Sequence, residues 1–523
     1  MFDFLKKMTG AIPKIGANTA ASSFEGASVG RRYRSVAPTI QGPNSLLSFN
    51  GAELRRRSRQ TIRNNSWANN GLESYVSNTI GTGIKPQSQH PDDSIQIQLD
   101  QIFERWTDES DMDGITDFYG QQSLVCREMM ESGECLIRFR PQLASSNMFI
   151  PLELQLLESE HLPYWKNINQ PNGNLIRNGI EFNKRGKRVN YWLYKQHPGE
   201  LIETQNSIEV VPVPANQILH VYKPVRAGQN RGQPWLTSVM VRLEELDKYE
   251  DAELLRKQMA AMISHFITEQ DPTTGNGLFD TDTQADEDGT PIARIEPGST
   301  VKLRAGENII VSQPADVGNM YGEFLRMNLY AVAAGMGITY EMLTGDLKGV
   351  NYSSIRAGLL EFRRRCEAMQ HQVLVFQFCR PVWNAVMNAA ALSGRISAKD
   401  YLAHREDYEN VAWQPPKWQW VDPEKDVLAE KEAVRCGFKS QSDVINSLGE
   451  NPDRVRTDIA ADNLANDALG NRSDADGRFP ENGRPPALAA AEETPGTLPA
   501  PFPQNDTNTA PVPVKGKKGS TIQ

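Results

Sequence analysis

Residues 316–393 constrain this fold most, because two helical patterns there flank a short polar break. The first pattern spaces apolar residues alternately by four and three, which predicts one buried helical face. Its members are Met320, Phe324, Met327, Ala331 and Ala334. The second pattern predicts a longer helix with one apolar face. Its members are Ile355, Leu359, Phe362, Cys366, Met369, Val373 and Phe376. Pro381 predicts a kink in this helix, because its ring clashes with a carbonyl oxygen of the preceding turn.

The break between the helices, residues 344–352, carries two glycines and a single lysine. Two packed helices that hold out such a loop suit a ligand too large for a pocket, such as a polymer. An ordinary core and an ordinary turn produce the same pattern, because apolar stripes usually pack internally and glycines often serve turns. Taken alone, the segment leaves both interpretations open.

Size and charge limit the classes of function. A chain of 523 residues is long enough for two or three domains. Its net charge of -9 argues against tight, sequence-independent nucleic-acid binding, although an acidic wall suits DNA that must slide past. Five cysteines without a CxxC spacing indicate a reducing cytoplasm rather than a disulfide framework. We expect neither a signal peptide nor a membrane span.

The order of patterns predicts an α+β fold that is mainly helical. Residues 1–50 have little periodicity, and we expect a mobile arm. Helices are predicted at 52–80 and 95–127, and short strands of a mostly antiparallel sheet follow. The predicted strands are 135–139, 152–156, 189–194 and 218–222.

A long helix is predicted from residue 232 to about 268, with Leu243 and Leu246 turned inward. Residues 269–290 then contain seven acids and no Lys or Arg, and strand-like pieces follow near 292–295, 300–303 and 309–311. Residues 395–460 are predicted to be largely helical. From residue 466 the composition becomes polar and then rich in Pro, Ala and Thr, which predicts a disordered tail.

Signals for catalysis are weak. Residues 26–30 fit the nucleophile-elbow pattern, but they lie in a polar segment without the strand and helix that the elbow needs. The chain has no Walker A sequence and no HExxH, and its seven histidines lack ligand spacing. We therefore predict no catalytic residue, metal site or cofactor. A metal-dependent nuclease remains an alternative, because carboxylates are abundant.

Four stretches carry a resemblance to a known family. They are residues 63–68 (RNNSWA), 78–86 (NTIGTGIKP), 346–356 (DLKGVNYSSIR) and 362–365 (FRRR). Together with the order of elements, they resemble the bacteriophage portal protein family, in particular its lambda-type branch. The resemblance extends from about residue 30 to about residue 460.

The resemblance implies a portal-type fold that assembles into a homo-oligomeric ring, usually of twelve subunits, at one vertex of the phage head. Double-stranded DNA is packaged and ejected through the central channel. The implied partners are the terminase large subunit, the major capsid or scaffolding protein, and the head-tail joining proteins. The implied location is the virion, and the bacterial host cytoplasm during assembly. Two alternatives stay open: the metal-dependent nuclease, acting in packaging, and a minor capsid protein without a channel.

The regions of the portal-type fold map onto this chain in order. After the arm at 1–50 come the wing at 51–237, a stem helix at 238–268, the clip at 269–315, a second stem helix at 316–338, the tunnel loop at 339–352, a long kinked helix at 353–394 and the crown at 395–465, followed by the tail at 466–523.

The mapping implies two sets of site residues. The loop that faces DNA contains Asp346, Lys348, Gly349 and Asn351. The clip that docks partners contains Asp280, Asp282, Asp286, Glu287 and Asp288. Each set has an ordinary alternative: Lys348 is simply solvated, Asn351 caps the following helix, and the acids form a solvated face.

Two further groups leave alternatives open. Small residues near 331–337 allow neighbouring subunits to approach closely, or they serve a tight turn within one chain. The arginine cluster at 55–59 contacts nucleic acid, or it pairs with acids on a neighbouring subunit or on the shell. We prefer the pairing, because clustered surface charges are more often balanced by opposite charges.

Overall fold

A computed structural model gives the positions of most of the chain. It describes residues 40–143, 146–200, 209–262, 265–268, 284–285, 291–292, 300–303, 321–348, 352–416, 418 and 423–471. Within these ranges the protein is mainly helical with small sheets, as predicted. The chain forms two compact units, residues 1–450 and residues 451–523. None of the described helices combines the length and apolar character needed to cross a bilayer.

The first helical segment differs from its prediction. Helix α1 spans Pro43–Asn64 and helix α2 spans Ser66–Thr79, so eight residues assigned to the mobile arm are helical. Asn65 separates the two helices because its backbone is extended and its side-chain oxygen accepts a hydrogen bond from the amide of Ala68 at 2.8 Å. This is an N-cap, which begins a new helix.

The next two helices each begin at an aspartate that caps the first turn. Helix α3 spans Asp93–Thr107 after Asp92, and helix α4 spans Phe118–Ser132 after Asp117. Gly133 ends α4 in the left-handed conformation, with φ of 98°. The single region predicted at 95–127 is therefore two helices.

The predicted strands form antiparallel sheets. The strands are β1 (Lys85–Ser88), β2 (Glu134–Pro141), β3 (Leu152–Leu157), β4 (Ile168–Asn169), β5 (Leu175–Arg177), β6 (Ile180–Phe182), β7 (Arg188–Tyr194), β8 (Val210–Pro214) and β9 (Ile218–Tyr222). One sheet has the order β3-β2-β9, and the other has the order β4-β5-β6-β7-β8. Strand β1 pairs instead with β14, Val411–Gln414, far along the chain.

Helix α5 spans Met240–Met262 and buries Leu243 and Leu246, as predicted. The prediction that it continues to 268 is wrong, because β10 at His265–Thr268 pairs in parallel with β13 at Thr300–Leu303. Between them, β11 at Gln284–Ala285 pairs with β12 at Pro291–Ile292. The strand predicted near 309–311 lies outside the described residues.

The helices of the most constraining segment follow. Helix α6 spans Tyr321–Met336, α7 spans Tyr340–Thr344, and α8 spans Tyr352–Met369. A π-helical segment, Gln370–Cys379, joins α8 to α9, Arg380–Leu392. Its wider turn changes the register of the apolar face. Phe362, Cys366, Met369 and Val373 are buried as predicted, but Phe376 is 64% exposed, which contradicts the prediction.

The π-helical segment also coincides with Pro381. Proline lacks the N–H that an α-helix uses for its ladder, and here it lies in the first turn of α9, where no such bond is required. The amide of Arg380 bonds to the carbonyl oxygen of Val375, five residues back. The predicted interruption of the α-helical pattern is therefore present, as a π-helical insertion.

The C-terminal part of the first unit is helical apart from β14. Its helices are α10 (Ala398–Ala403), α11 (Arg405–Glu409), α12 (Pro423–Arg435) and α13 (Gln441–Ser447). In the second unit, α14 spans Pro452–Leu469 and ends at Gly470. The disordered tail predicted from residue 466 therefore begins too early, and residues 472–523 lie outside the described part.

The main core is aromatic. Phe103 lies 5.3 Å from Trp106, 5.5 Å from Phe118 and 5.1 Å from Trp383, measured between ring centroids. Phe118 also lies 5.4 Å from Phe378 of the π-helical segment. All five side chains are fully buried, so this cluster fixes α3, α4 and α9 in one body. The second core lies against the sheet formed by β4 to β8.

Candidate channel loop

The candidate loop begins where α6 ends. Gly337 has a φ of 78° and turns the chain, and Thr339 then caps α7 by accepting a hydrogen bond from the amide of Met342 at 3.3 Å. Gly345 ends α7 in the left-handed conformation, with φ of 70°. The region predicted as one loop at 339–352 therefore contains a short helix.

The first residues of the loop are shaped by hydrogen bonds. The hydroxyl of Thr344 accepts from the amide of Asp346 at 3.2 Å, and the carboxylate of Asp346 accepts from the amide of Lys348 at 3.0 Å. Asp346 therefore organises the turn. Lys348 is exposed, and so is its neighbour Leu347, at 66%. Gly349 and Asn351 lie outside the described residues.

Helix α2 supports the start of this loop from a distant part of the sequence. The side-chain amide of Asn70 donates to the carbonyl oxygens of Met342 at 3.0 Å and Leu343 at 2.7 Å. Gly71 lies so close that a Cβ there would be 2.5 Å from the end of the Met336 side chain. The sequence analysis missed Asn70, since nothing local to it signals a partner more than 250 residues away.

Helices α6 and α7 contact each other through stacked aromatic rings. The rings of Tyr330 and Tyr340 stack with centroids 4.3 Å apart. The guanidinium of Arg326 lies 5.7 Å from one centroid and 5.5 Å from the other. This arrangement places a cation and two aromatic rings beside the candidate loop.

The apolar stripe predicted for α6 is not its buried face, as far as its members are described; Met320 lies outside the described residues. Phe324 is 49% exposed, Met327 is 66% exposed, and Ala334 is also exposed. The residues buried within the chain are Leu329, Val332, Ala333 and Met336. These two sets lie on opposite faces, given about 100° of rotation per residue. Helix α6 therefore has two apolar faces. In the described part of the chain the second face is largely exposed, although the ring of Phe324 lies 4.8 Å from that of Tyr249 on α5.

Some small residues at the end of α6 allow close packing within the chain, whereas others are exposed and could contact a neighbouring subunit. A Cβ on Gly335 would lie 2.3 Å from Val239, so this glycine allows close packing within the chain. Ala333 is also buried internally. Ala334 is exposed and remains available to another molecule.

For the arginine cluster, the predicted pairing with acids is confirmed, but the predicted location of those acids on another molecule is wrong. Arg59 lies 2.7 Å from Glu128 and 2.9 Å from Glu160, and Arg55 lies 2.9 Å from Glu160. Burial works against the charge of Arg59, but the carboxylates of Glu128 and Glu160 outweigh it and raise its pKa. Arg56 and Arg57 pair with Glu53. These acids belong to the same chain, so the cluster stabilises the α1–α4 region internally.

One trio in the described ranges has the spacing of a metal site. Ligand atoms of Glu158, Glu160 and His197 lie within 4.8 Å of one another. Arg59, however, lies 3.4 Å from Glu158 and 2.9 Å from Glu160. A guanidinium that already balances both carboxylates explains their proximity without a cation.

The acids predicted to dock partners belong to the clip. Asp280, Asp282, Asp286, Glu287 and Asp288 lie outside the described residues. The described neighbours are the short strands β10 to β13.

Comparisons with known proteins identify the family. The model of the family described as "Phage portal protein, lambda family" matches residues 29–370. A probable portal protein of Halomonas phage phiHAP-1 is 28% identical over 418 residues, which cover 78% of this chain and 79% of that protein. Portal protein B of Escherichia phage lambda is 21% identical over 367 residues, or 64% of this chain and 68% of that protein.

These matches define the class as a structural component of the phage virion, and not an enzyme. The chain belongs to the lambda family of phage portal proteins.

Solved structures give a more distant likeness. The virion of a native gene transfer agent contains a chain that matches with a TM-score of 0.38 and 12% identity, covering 77% of this chain and 94% of that one. The neck of the native particle, computed with C12 symmetry, also matches with a TM-score of 0.38, at 13% identity, covering 81% and 99%.

Proposed function

We propose that this protein forms the ring-shaped portal vertex of a tailed phage capsid. Double-stranded DNA passes through its central channel during packaging and ejection. The observation that carries the proposal is the second apolar face of α6, on which Met327 is 66% exposed and Phe324 is half exposed beside Tyr249. Exposed apolar surface of this kind marks a protein interface. A head-to-tail interface that closes on itself produces a ring.

The candidate loop supports DNA as the ligand of the channel. Lys348 is exposed in the turn that Asp346 and Thr344 organise. One lysine per subunit, repeated around a ring, attracts phosphates from every side. The sum centres the duplex without gripping it at one point, because each exposed charge is worth little by itself.

In this proposal the clip, residues 269–315, binds the packaging motor and the proteins that join head and tail. Its run of acids, Asp280 to Asp288, suits basic surfaces on the terminase and on the head-tail joining proteins. The wing contacts the capsid or scaffolding protein. Assembly takes place in the host cytoplasm, and the finished ring remains in the virion.

Images of the purified protein test the ring itself. We expect negative-stain class averages to show rings with a hollow bore. Hexamers without a bore, sheets or monomers at all concentrations would instead support a minor capsid protein without a channel.

The loop has its own test, the substitution Lys348→Ala. We expect rings in normal yield, because the side chain is exposed, but altered DNA packaging or genome retention. The measurement is DNA content per particle after assembly with wild-type or variant protein. The matched control is Lys187→Ala, an exposed lysine in the turn before β7. Equal DNA content in both variants would remove Lys348 from the mechanism.

A further inference from the structure

A cleft of about 670 Å³ lies beside the C-terminal end of α6. Its walls come from the segment after β9, the turn at Trp235–Ser238, the end of α6, the end of α8 and the π-helical segment. The residues that line it include Lys223, Trp235, Gly335, Arg365 and Phe376. We call this site the cation cleft, because its lining carries two basic side chains and no carboxylate.

The two cations of the cation cleft are poorly balanced. The ammonium of Lys223 lies 4.7 Å from the ring centroid of Trp235, and no described carboxylate pairs with it. Loss of hydration, together with the charge of Arg365, lowers the pKa of Lys223. Among the described residues, Arg365 pairs with the acid Glu361 at 3.6 Å, and both side chains are about half exposed. Such a pair is weak, so the cleft retains an unmet preference for negative charge.

The surroundings of the cleft indicate a protein ligand rather than DNA. Phe376 is 64% exposed at its edge, and Ala334 joins it to the exposed stripe of Phe324 and Met327 on α6. A band of apolar side chains that ends at two cations fits a protein surface that carries both apolar and acidic groups. A phosphate backbone is met by exposed basic fields without such a band.

The chain itself carries a surface of this chemistry near the cleft. Gly335, in the cleft, packs against Val239, one residue before α5. Charge complementarity selects the first turns of α5 in a second copy of the chain, because two exposed carboxylates lie side by side there. Glu244 and Glu245 lie there, roughly 8 Å along α5 from Val239 at 1.5 Å per residue.

The two glutamates are free to make this contact. Glu244 and Glu245 are 62% and 68% exposed, on the face of α5 opposite to buried Leu243 and Leu246. Their present partner is Lys248, at 3.4 Å and 3.1 Å, which is also exposed. Exposed pairs within one helix contribute little, so Lys248 competes weakly. Val241 is 73% exposed one turn earlier and supplies the apolar part of the surface.

We propose that the cation cleft of each subunit receives Glu244 and Glu245 from α5 of the adjacent copy. Lys223 and Arg365 hold the two carboxylates, and Phe376 packs against the apolar residues around them. The contact is head-to-tail, so it fixes the order and hand of subunits in the ring. The inference rests on the proposed portal function, and it adds the particular surfaces that meet.

A charge-reversal series tests the contact with the full-length chain. One variant is Lys223→Glu with Arg365→Glu, the second is Glu244→Lys with Glu245→Lys, and the third combines all four. We expect the first two to lower the fraction of protein in rings by about tenfold or more, because like charges then face each other. The combined variant should regain most of the wild-type fraction. The measurement is analytical ultracentrifugation at matched concentration.

Controls separate folding from assembly. Lys399→Glu, at an exposed lysine on α10, which does not line the cleft, should leave the ring fraction unchanged. Thermal melting reports whether each variant folds, and Lys223→Gln is a milder variant that should weaken rings in the same direction.

Each other outcome overturns the inference. Ring fractions within about twofold of wild type for the first two variants would exclude the contact, as would a combined variant no better than its parents. Normal rings with reduced DNA packaging would assign the cleft to DNA. If wild-type protein itself forms no ring, the proposed function fails; if it does and the variants match it, only this contact fails.

Discussion

At the scale of single residues, one buried trio shows how charge is placed in this fold. Glu134, His220 and Arg231 have no exposed side-chain surface. The Nε of Arg231 lies 2.7 Å from one oxygen of Glu134, and the Nε2 of His220 lies 2.9 Å from the other. Arg231 also donates to the backbone oxygens of Leu162 and Asn178. The trio thereby connects β2, β9 and the loops around the second sheet.

The ionisation of the trio follows from these contacts. Burial lowers the pKa of His220 to about 4, against the opposing effect of Glu134, so the imidazole is neutral near pH 7. Its Nε2–H donates to Glu134, and Nδ1 has no partner. Burial opposes the charge of Glu134, but Arg231 and His220 outweigh it and lower the pKa of that carboxyl. The pair Glu134–Arg231 is therefore charged while His220 is not.

This assignment predicts a pH dependence of stability. Below its ordinary pKa of 6.5, the unfolded His220 takes up a proton that the folded one does not. The free energy of unfolding should therefore fall as the pH is lowered from 6.5 towards 4, by about 3 kcal/mol over the full window. Glu134 adds to the loss only below its unfolded value of 4.5.

The measurement is urea unfolding of dissociated subunits at several pH values. His220→Gln retains a donor towards Glu134 but does not titrate, so its unfolding free energy should fall less over the same range. Parallel pH profiles for wild type and variant would contradict a buried neutral histidine.

At the scale of elements, periodicity predicted the inner face of α5, the four main strands and most of the face of α8. It failed where another feature changed the geometry. The π-helical segment moved Phe376 to the surface, and Asn65 divided α1 from α2. The stripe of α6 failed for a different reason, because both of its faces are apolar and periodicity cannot tell which one the same chain covers.

The glycines and the lysine in the sequence predicted where the candidate loop lies. They did not predict which residues support it. Gly345 does adopt the left-handed conformation that such a break needs. Its anchoring by Asn70 depends on packing between α2 and α7, which no local pattern encodes. The roles of Lys348, Gly349 and Asn351 towards DNA stay predictions.

The anchoring of α7 gives a prediction at this scale. Asn70→Ala removes two hydrogen bonds to the last turn of α7, at a cost of about 1–2 kcal/mol. We expect amide hydrogen exchange in α7 to accelerate by roughly 5- to 30-fold while the aromatic core stays protected. Asn69→Ala is the matched control, since its side chain contacts Arg127 instead. Equal exchange in both variants would show that α7 is held by packing alone.

At the scale of the whole molecule, the subunit has a closed aromatic core but an open apolar face. Phe103 and its neighbours are fully buried in one chain, whereas Phe324 and Met327 are not. Such a surface is costly in water for a monomer and is stabilised when another copy covers it. Family membership and this exposed surface are independent observations, and both support the proposed assembly of several copies.

The substitution Met327→Asp tests that conclusion. The free energy of unfolding of the dissociated subunit should stay within about 0.5 kcal/mol of the wild-type value, because Met327 is 66% exposed. Ring formation should fall steeply, because the new carboxylate is buried without a partner at every interface around the ring. Leu402→Asp is the matched control, since Leu402 is 77% exposed on α10, away from this stripe. We expect size-exclusion chromatography with light scattering to show rings for the control and subunits for the variant. Rings of equal abundance in both would place the α6 stripe on a free surface, and the ring would then need another interface.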